Sequence, residues 1–379
     1  MRAMFHRARA TGSVVLVLLG MTAARAFAAT TTYTGRAVED AEARKEDKPS
    51  GDLRPTTGAG APHALTPQEV FEALKHEAEH KLAEKKAHKW FIQTYGSWSG
   101  GVESNPNLVP KGHKTDFFME EYGSVTGGYH FFPALTWQTS YSLDSYNYSQ
   151  FTDLDTLTNT LTTKLLYQMI KPLRLEAHYS FIDNAYVRDR SLSSQDQKIH
   201  LRLRHTFLKN YYHYLGWTYL YKQYEDKLIR NGAGTRIAGK RRKDTRHTGT
   251  YEIGGYVGEN LLLRLKQDVY FNESNDHFQD FYDLQDYKVR LSGIYNWNPQ
   301  WSSSAGFTYD IKRYEQRVNT AARPVKQRDY AKTYDFGLTY KINHTFDVTY
   351  DFRFLRNTSN EVSQSYNDAT NTVTLSASF

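Results

Sequence analysis

Apolar and polar residues alternate along most of the chain between residues 90 and 379. One clear example contains Leu263 and Leu265 on one parity and Arg264 and Lys266 on the other. A period of two places successive side chains on opposite faces of a β-strand. The pattern therefore predicts a long series of strands, each with one apolar face and one polar face.

Fourteen such segments can be counted, and the connections between them alternate between short turns and long loops. The segments begin near residues 90, 116, 134, 156, 173, 197, 211, 247, 261, 284, 300, 330, 344 and 366. An even strand number with short turns at one end and long loops at the other is typical of transmembrane barrels. We therefore predict an all-β fold, a transmembrane antiparallel β-barrel of about 14 strands over residues 89–379. A soluble sandwich is the alternative, but an open sheet of this size would expose edges and a large apolar face.

The N-terminal residues follow other patterns. Residues 1–28 combine basic residues, an apolar core and an Ala-Phe-Ala site, as in a signal peptide; a buried strand or short helix is the alternative. Residues 29–65, rich in Gly, Pro, Thr and charge, are predicted to be a flexible periplasmic linker. Residues 66–88 begin with a capping box and predict a helix. That helix is interpreted as a spacer, a docking segment for a periplasmic partner or a plug in the barrel.

Composition excludes several classes of protein. Aromatic residues make up 15% of the chain, which argues against disorder, and no apolar run is long enough for a transmembrane helix. The absence of cysteine excludes disulfides and thiolate metal sites. A net charge of +7 is too weak to indicate nucleic-acid binding. No G-x-S-x-G motif occurs. Residues 76–80, His-Glu-Ala-Glu-His, match H-E-x-x-H, and His76 and His80 could form a metal pair, but a charged helix that faces solvent explains them better. We therefore predict no enzyme activity, no cofactor and no metal site.

The last strand ends in an alternating apolar pattern with a terminal aromatic residue. Its apolar positions are Val373, Leu375, Ala377 and Phe379. This ending resembles the assembly signal that the barrel-assembly machinery reads in outer-membrane proteins. The resemblance implies insertion among the lipids of the outer membrane of a Gram-negative bacterium.

The barrel region as a whole resembles outer-membrane porin-like barrels. Its C-terminal part is also similar to a family of β-barrel porins found beside exopolysaccharide loci. The stretches that carry this similarity are Tyr334–Tyr340, Tyr350–Phe354, Arg356–Asn360 and Thr372–Ser376. The resemblance implies a channel and assigns no functional residue.

Parity predicts which charged side chains face the lumen. Segments four to ten contribute the basic residues Lys164, Arg174, Lys198, Arg202, Arg204, Lys222, Arg264, Lys266, Lys288 and Arg290 and the acidic residues Glu176, Glu252 and Asp268. The remaining wall contributes Lys312, Lys341 and Arg353 and the acidic residues Glu120, Asp144, Asp310, Asp335, Asp347 and Asp351. A basic wall opposite an acidic wall would create a transverse field in a water-filled pore. The excess of basic residues predicts a modest preference for anions.

Two alternatives stay open for these charges. Inward residues can pair with one another, with Lys288 facing Asp268 or Asp310, and then serve only as a solvated lining. Two segments with many basic residues, 227–246 and 315–329, are predicted to be long loops. They could bind lipid phosphates, draw acidic saccharides to the mouth of the barrel or simply be solvated.

The predicted function is a passive channel for hydrophilic solutes, with acidic saccharides as a candidate substrate. Two alternatives are the outer-membrane component of an exopolysaccharide export system and a non-conducting structural or surface-assembly barrel. The sequence alone specifies neither the substrate and its direction of transport nor the oligomeric state.

Overall fold

The computed structural model describes residues 89–207, 211–231, 233–276, 283–320 and 324–379. The predicted signal peptide, linker and 66–88 helix lie outside the described residues. The strands are β1 Trp90–Glu103, β2 Asp116–Phe132, β3 Leu135–Tyr148, β4 Thr156–Ile170, β5 Leu173–Tyr186, β6 Ser194–Phe207, β7 Tyr211–Arg230, β8 Arg236–Val257, β9 Leu261–Ser274, β10 Leu284–Asn296, β11 Trp301–Val318, β12 Lys326–Lys341, β13 Phe346–Ser359 and β14 Tyr366–Ser378. Two short 3-10 helices, Thr152–Leu154 and Val362–Gln364, lie in the long loops. None of the helices in the described part of the chain has the length and apolar composition needed to cross a bilayer.

The fourteen strands form a closed antiparallel barrel in which each strand pairs with its neighbours in sequence. The barrel closes where β1 pairs with β14, from Tyr95 opposite Ser378 to Glu103 opposite Thr370. Phe379 extends this seam, because its backbone N–H donates to Thr94 at 2.9 Å and its carbonyl accepts from Thr94 at 3.0 Å. The predicted fold class and strand number are confirmed.

The outward face of the barrel is apolar. Large hydrophobic side chains are exposed on this face around the barrel, including Ile92, Leu161, Leu291, Phe336 and Leu375. Such a band would be unstable in water but matches the hydrocarbon of a bilayer. Aromatic residues lie near the short-turn end, where Trp301 packs against Tyr340 with ring centroids 4.7 Å apart. The architecture is that of an outer-membrane barrel.

Two hairpins continue farther than the sequence predicts. The expected loop 227–246 is mostly strand, because β7 runs to Arg230 and β8 begins at Arg236. The expected loop 315–329 is also partly strand, because β11 runs to Val318 and β12 begins at Lys326. Beyond the bilayer both faces of a strand meet water, so the apolar–polar alternation fades although the ladder continues. These two loop predictions were therefore wrong in extent.

Parity predicts opposite responses to the same charge on the two faces. Leu265 lies on the outward row between Ile253 and Leu291, whereas Thr160 lies on the inward row. We expect Leu265→Arg to lower the free energy of unfolding by about 2–4 kcal/mol near the bilayer midplane. Thr160→Arg should be close to neutral. Urea unfolding in lipid vesicles measures both, and equal effects at the two positions would contradict the assignment of faces.

Candidate functional site

The polar rows face the interior of the barrel, as contacts that skip a strand show. The hydroxyl of Tyr148 on β3 hydrogen-bonds to the carboxylate of Glu103 on β1, across the intervening β2. Side chains two strands apart meet in this way on the concave face of a curved sheet. The inward rows therefore form the lining of the lumen, which is the candidate functional site.

Every charged residue predicted from parity to line the lumen lies on an inward row. The predicted pore-lining residues are Lys164, Arg174, Lys198, Arg202, Arg204, Arg264, Lys266, Lys288, Arg290, Asp335, Asp347 and Asp351. Their accessibility differs: Lys198 is exposed and the Lys266 side chain retains 36% of its accessible surface, whereas Lys288 retains 13%. Exposed lysines on a concave face leave space for water in the lumen beside them. Whether this water forms a conducting path stays a prediction.

Several lining charges pair with each other along or across the strands. Lys288 Nζ lies 3.2 Å from Asp310 Oδ2 on the neighbouring strand β11. Lys266 Nζ lies 3.0 Å from Asp268 Oδ2 on the same strand. The Lys288–Asp310 contact is one that parity suggested. Pairing lowers the cost of holding charge in a partly dry lumen.

The tightest cluster surrounds Glu176, whose side chain retains 1% of its accessible surface. Arg174 Nε and Arg202 Nε each donate to this carboxylate at 2.8 Å. His178 Nε2 lies 3.6 Å from it, and the His178 and His200 rings lie 5.3 Å apart. Glu176 therefore joins β5 and β6 through paired charges and is a structural centre of the basic wall.

A second cluster, around Glu252, packs tyrosine rings against charged side chains. The hydroxyls of Tyr212 and Tyr214 donate to Glu252 at 2.8 and 2.9 Å, and the Arg204 guanidinium lies 4.3 Å from the Tyr212 ring centroid. Gly254 makes this packing possible, because a Cβ there would approach the Tyr212 hydroxyl oxygen to 2.8 Å. Arg204 is thus held by packing of its guanidinium over an aromatic ring.

The structure adds lining charges that the sequence analysis left out. The additional acidic residues on inward rows are Glu103, Asp116, Asp196, Asp244, Asp286, Asp329 and Asp368, and the additional basic residues are Arg242, Arg246 and Arg317. With these and Lys227, whose Nζ lies 4.8 Å from the Tyr224 ring centroid, included, inward cations and anions are nearly equal in number. Most of the expected excess of basic residues therefore disappears. Most of the missed residues lie near the long-loop ends of strands, where extending the parity would have found them.

The contrast between the two walls remains. Strands β4 to β10 carry most of the inward cations, and β11 to β14 with β1 to β3 carry most of the inward anions. Because the strands follow one another around the barrel, the two halves face each other. The lumen is thus close to neutral overall but polarised from wall to wall.

Two residues expected in basic loops point inward instead. Arg242 is fully buried and donates to Asp244 through its Nε at 2.9 Å, while its guanidinium lies 4.8 Å from the Tyr224 ring centroid. Arg317 is 2% exposed, with its guanidinium 5.0 Å from the Tyr314 ring centroid. These cations are part of the packed interior at the long-loop end and do not present a loop surface.

The loop between β1 and β2 folds into the barrel mouth. Asn105 anchors it, because its backbone N–H donates to Asp368 and its side-chain amide to the Asn367 carbonyl, both at 2.9 Å. Leu108 then packs with Leu355 and Tyr366 on β13 and β14. The loop covers part of the acidic wall and narrows the mouth. Sequence analysis did not predict this insertion, because two adjacent apolar residues in a polar loop do not indicate which way they face.

The long loops are also tied to one another near the mouth. Glu361 accepts hydrogen bonds from the Thr320 backbone N–H at 2.6 Å and from the Ser363 hydroxyl at 3.0 Å. Partial burial alone would raise the pKa of Glu361, but these hydrogen bonds outweigh it and hold the pKa below its ordinary value. The carboxylate thus stays ionised and joins two neighbouring loops.

Among the described residues, no group of three or more His, Cys, Asp or Glu side chains is arranged to hold a metal ion.

Three solved structures of outer-membrane barrels that match this chain each share 11% sequence identity with it. Outer-membrane expressed OmpT of Vibrio cholerae matches with a TM-score of 0.48 over 78% of this chain and 99% of that chain. OmpF of Salmonella typhi matches with a TM-score of 0.43 over 76% and 97%, and an outer-membrane channel from Pseudomonas putida F1 with 0.39 over 78% and 98%. Comparison with protein-family models and with curated proteins finds no match.

The buried Glu176 cluster gives a prediction about stability. Glu176→Gln keeps the side-chain shape but removes the charge that faces Arg174 and Arg202. We expect the free energy of unfolding in vesicles to fall by about 1.5–3 kcal/mol, because charge-assisted hydrogen bonds are lost. Asp347→Asn, at a less buried inward position, is the matched control and should cost less. An equal loss in both variants would show that Glu176 has no special structural role.

The inserted loop gives a prediction about conductance. Asn105→Ala together with Leu108→Ala removes the anchor and the apolar contact that hold the loop against β13 and β14. We expect a larger or noisier single-channel conductance, because the mouth is wider or the loop moves. Val109→Ala, in the same loop but half-buried, is the control. An unchanged conductance in the double variant would place the loop outside the conducting path.

Proposed function

We propose that this protein is a passive channel for small hydrophilic solutes in the outer membrane of a Gram-negative bacterium. The observation that carries the proposal is a water-accessible lining with cations on one wall and anions on the facing wall. An apolar solute entering such a lumen would have to displace water that the charges orient. A polar solute exchanges its own hydration for the charged groups of the walls.

The balance of the lining favours one class of solute within this proposal. Nearly equal numbers of inward cations and anions give no strong net potential to attract either ion. A transverse field instead stabilises molecules that carry both signs of charge or a large dipole. Zwitterionic and neutral polar solutes therefore fit the lining better than acidic saccharides, which the acidic wall would repel. The inserted loop, which lies over that acidic wall, restricts passage to small solutes.

A reversal-potential measurement in planar bilayers tests this proposal. Under a tenfold salt gradient we expect a value far below the ~59 mV of a perfectly selective monovalent pore. Lys198→Gln with Lys266→Gln should shift it toward cation preference, because both lysines are accessible in the basic wall. The shift should shrink as salt rises, since charges in water are screened over about 8–10 Å near physiological salt.

The acidic wall provides the matched control. Asp347→Asn with Asp351→Asn should shift the reversal potential in the opposite direction by a similar amount. Shifts of the same sign in both double variants would contradict the two-wall lining. Absence of conductance in the parent protein would contradict the channel and favour a structural barrel.

A further inference from the structure

The outward face of three neighbouring strands carries like charges directly opposite each other. Lys332 on β12 is the register partner of Arg356 on β13. Arg313 on β11 is the register partner of Arg328 on β12. All four side chains are exposed. Opposed like charges destabilise a strand pair. An anion bound between two such pairs on one surface would relieve that repulsion.

The height of these pairs places them at the outer edge of the bilayer. Below Lys332, the outward row of β12 continues through the exposed Tyr334 and Phe336 to Tyr340 at the short-turn end. The eight-residue separation of Lys332 from Tyr340 corresponds to about 21 Å along the barrel axis, for a rise of ~3.4 Å and a tilt of ~40°. The apolar band of such barrels is about 25 Å tall. Lys332 and Arg356 therefore lie where acyl chains meet headgroups, and the Arg313–Arg328 pair lies above them.

A break in the β11–β12 ladder opens a cavity beside the upper pair. The register shifts between Arg313 and Val318, so that residues 314–317 of β11 lie opposite Gln327 alone. Bulges of this kind bend a strand and disrupt its pairing. The resulting cavity has a volume of about 360 Å³, and Arg313, Lys326 and Arg328 are among its lining residues. It is large compared with the ~30 Å³ that one water molecule occupies in the liquid.

Few carboxylates among the described residues lie close enough to balance these cations. Glu315 is the carboxylate that lines the cavity, and no ion pair joins it to the basic residues in the described part of the chain. Arg313 stacks 5.4 Å from the ring centroid of Tyr287, which orients the guanidinium without balancing its charge. The outward surface defined by Arg313, Lys326, Arg328, Lys332 and Arg356 is here named the basic outer patch.

We propose that the basic outer patch binds the phosphate groups of a phosphorylated lipid in the outer leaflet. Lys332 and Arg356 would contact one phosphate at the hydrocarbon boundary, while Arg313 and Arg328 beside the cavity hold a second, higher one. The exposed apolar row below accommodates the acyl chains of the same lipid. Guanidinium groups suit phosphate because their N–H donors match two phosphate oxygens at once.

Native mass spectrometry of the folded full-length barrel in zwitterionic detergent without divalent cations tests this proposal. The probes are bisphosphorylated lipid A, its dephosphorylated form, phosphatidylcholine and inorganic phosphate. The parent should retain lipid A in preference to the other three. Lys332→Gln with Arg356→Gln should weaken lipid A binding by about tenfold or more, because two charge-assisted contacts are lost.

Lys240→Gln with Arg241→Gln is the matched control, since it removes two exposed cations from the β7–β8 hairpin. Its lipid A affinity should stay within about twofold of the parent, because long-range attraction alone is screened in salt. Equal weakening in both double variants would overturn the proposal and indicate general electrostatic attraction. Full competition by an equal concentration of inorganic phosphate would overturn the lipid as ligand.

A stability measurement separates binding from misfolding. In zwitterionic micelles the Lys332→Gln, Arg356→Gln variant should unfold at the same or a higher urea concentration than the parent, because the like-charge repulsion is removed. Added lipid A should stabilise the parent more than the variant, since a ligand stabilises the state that binds it. Equal stabilisation of both proteins would overturn the proposal. The outcome has no bearing on conductance, so the proposed channel is tested independently.

Discussion

The need to satisfy every backbone hydrogen bond in lipid is the constraint on which this structure depends. A strand edge inside a bilayer has no water to pair with, so a membrane-spanning sheet must close on itself. Pairing of β1 with β14, continued by Phe379 and Thr94, removes the last edge. Once the sheet is closed, strict alternation assigns each residue either to lipid or to the lumen. The apolar outer band and the charged lining are therefore two consequences of one ring of hydrogen bonds.

The lining then has to hold many charges in a confined space. Ion pairs within and between strands, such as Lys288 with Asp310, balance many of these charges. Other cations pack against aromatic rings, as Arg204 does against Tyr212. Local pairing leaves the total charge near zero while the two walls keep opposite signs. If the lumen conducts, a polarised, neutral lining would select solutes differently from the anion-preferring pore that the basic wall alone suggested.

The fold was predictable because alternation is a local signal that repeats in every strand. The strand number, the inward position of residues such as Arg202 and Asp351, and the outward position of Leu265 all follow from it. The long-loop ends were not predictable in the same way. There the ladder of β7 and β8 continues in water. Arg242 points inward because its guanidinium donates to Asp244 and packs over the Tyr224 ring. The insertion of Leu108 depends on tertiary contacts with strands far along the chain.

The chain contains no cysteine, so cysteine scanning of β9 in the native membrane tests the closed, water-filled barrel directly. Single cysteines at residues 263 to 268 are exposed to a water-soluble thiol reagent. The account predicts labelling at 264, 266 and 268 and protection at 263, 265 and 267, where the side chains face lipid. Uniform labelling, uniform protection or a period other than two would contradict it.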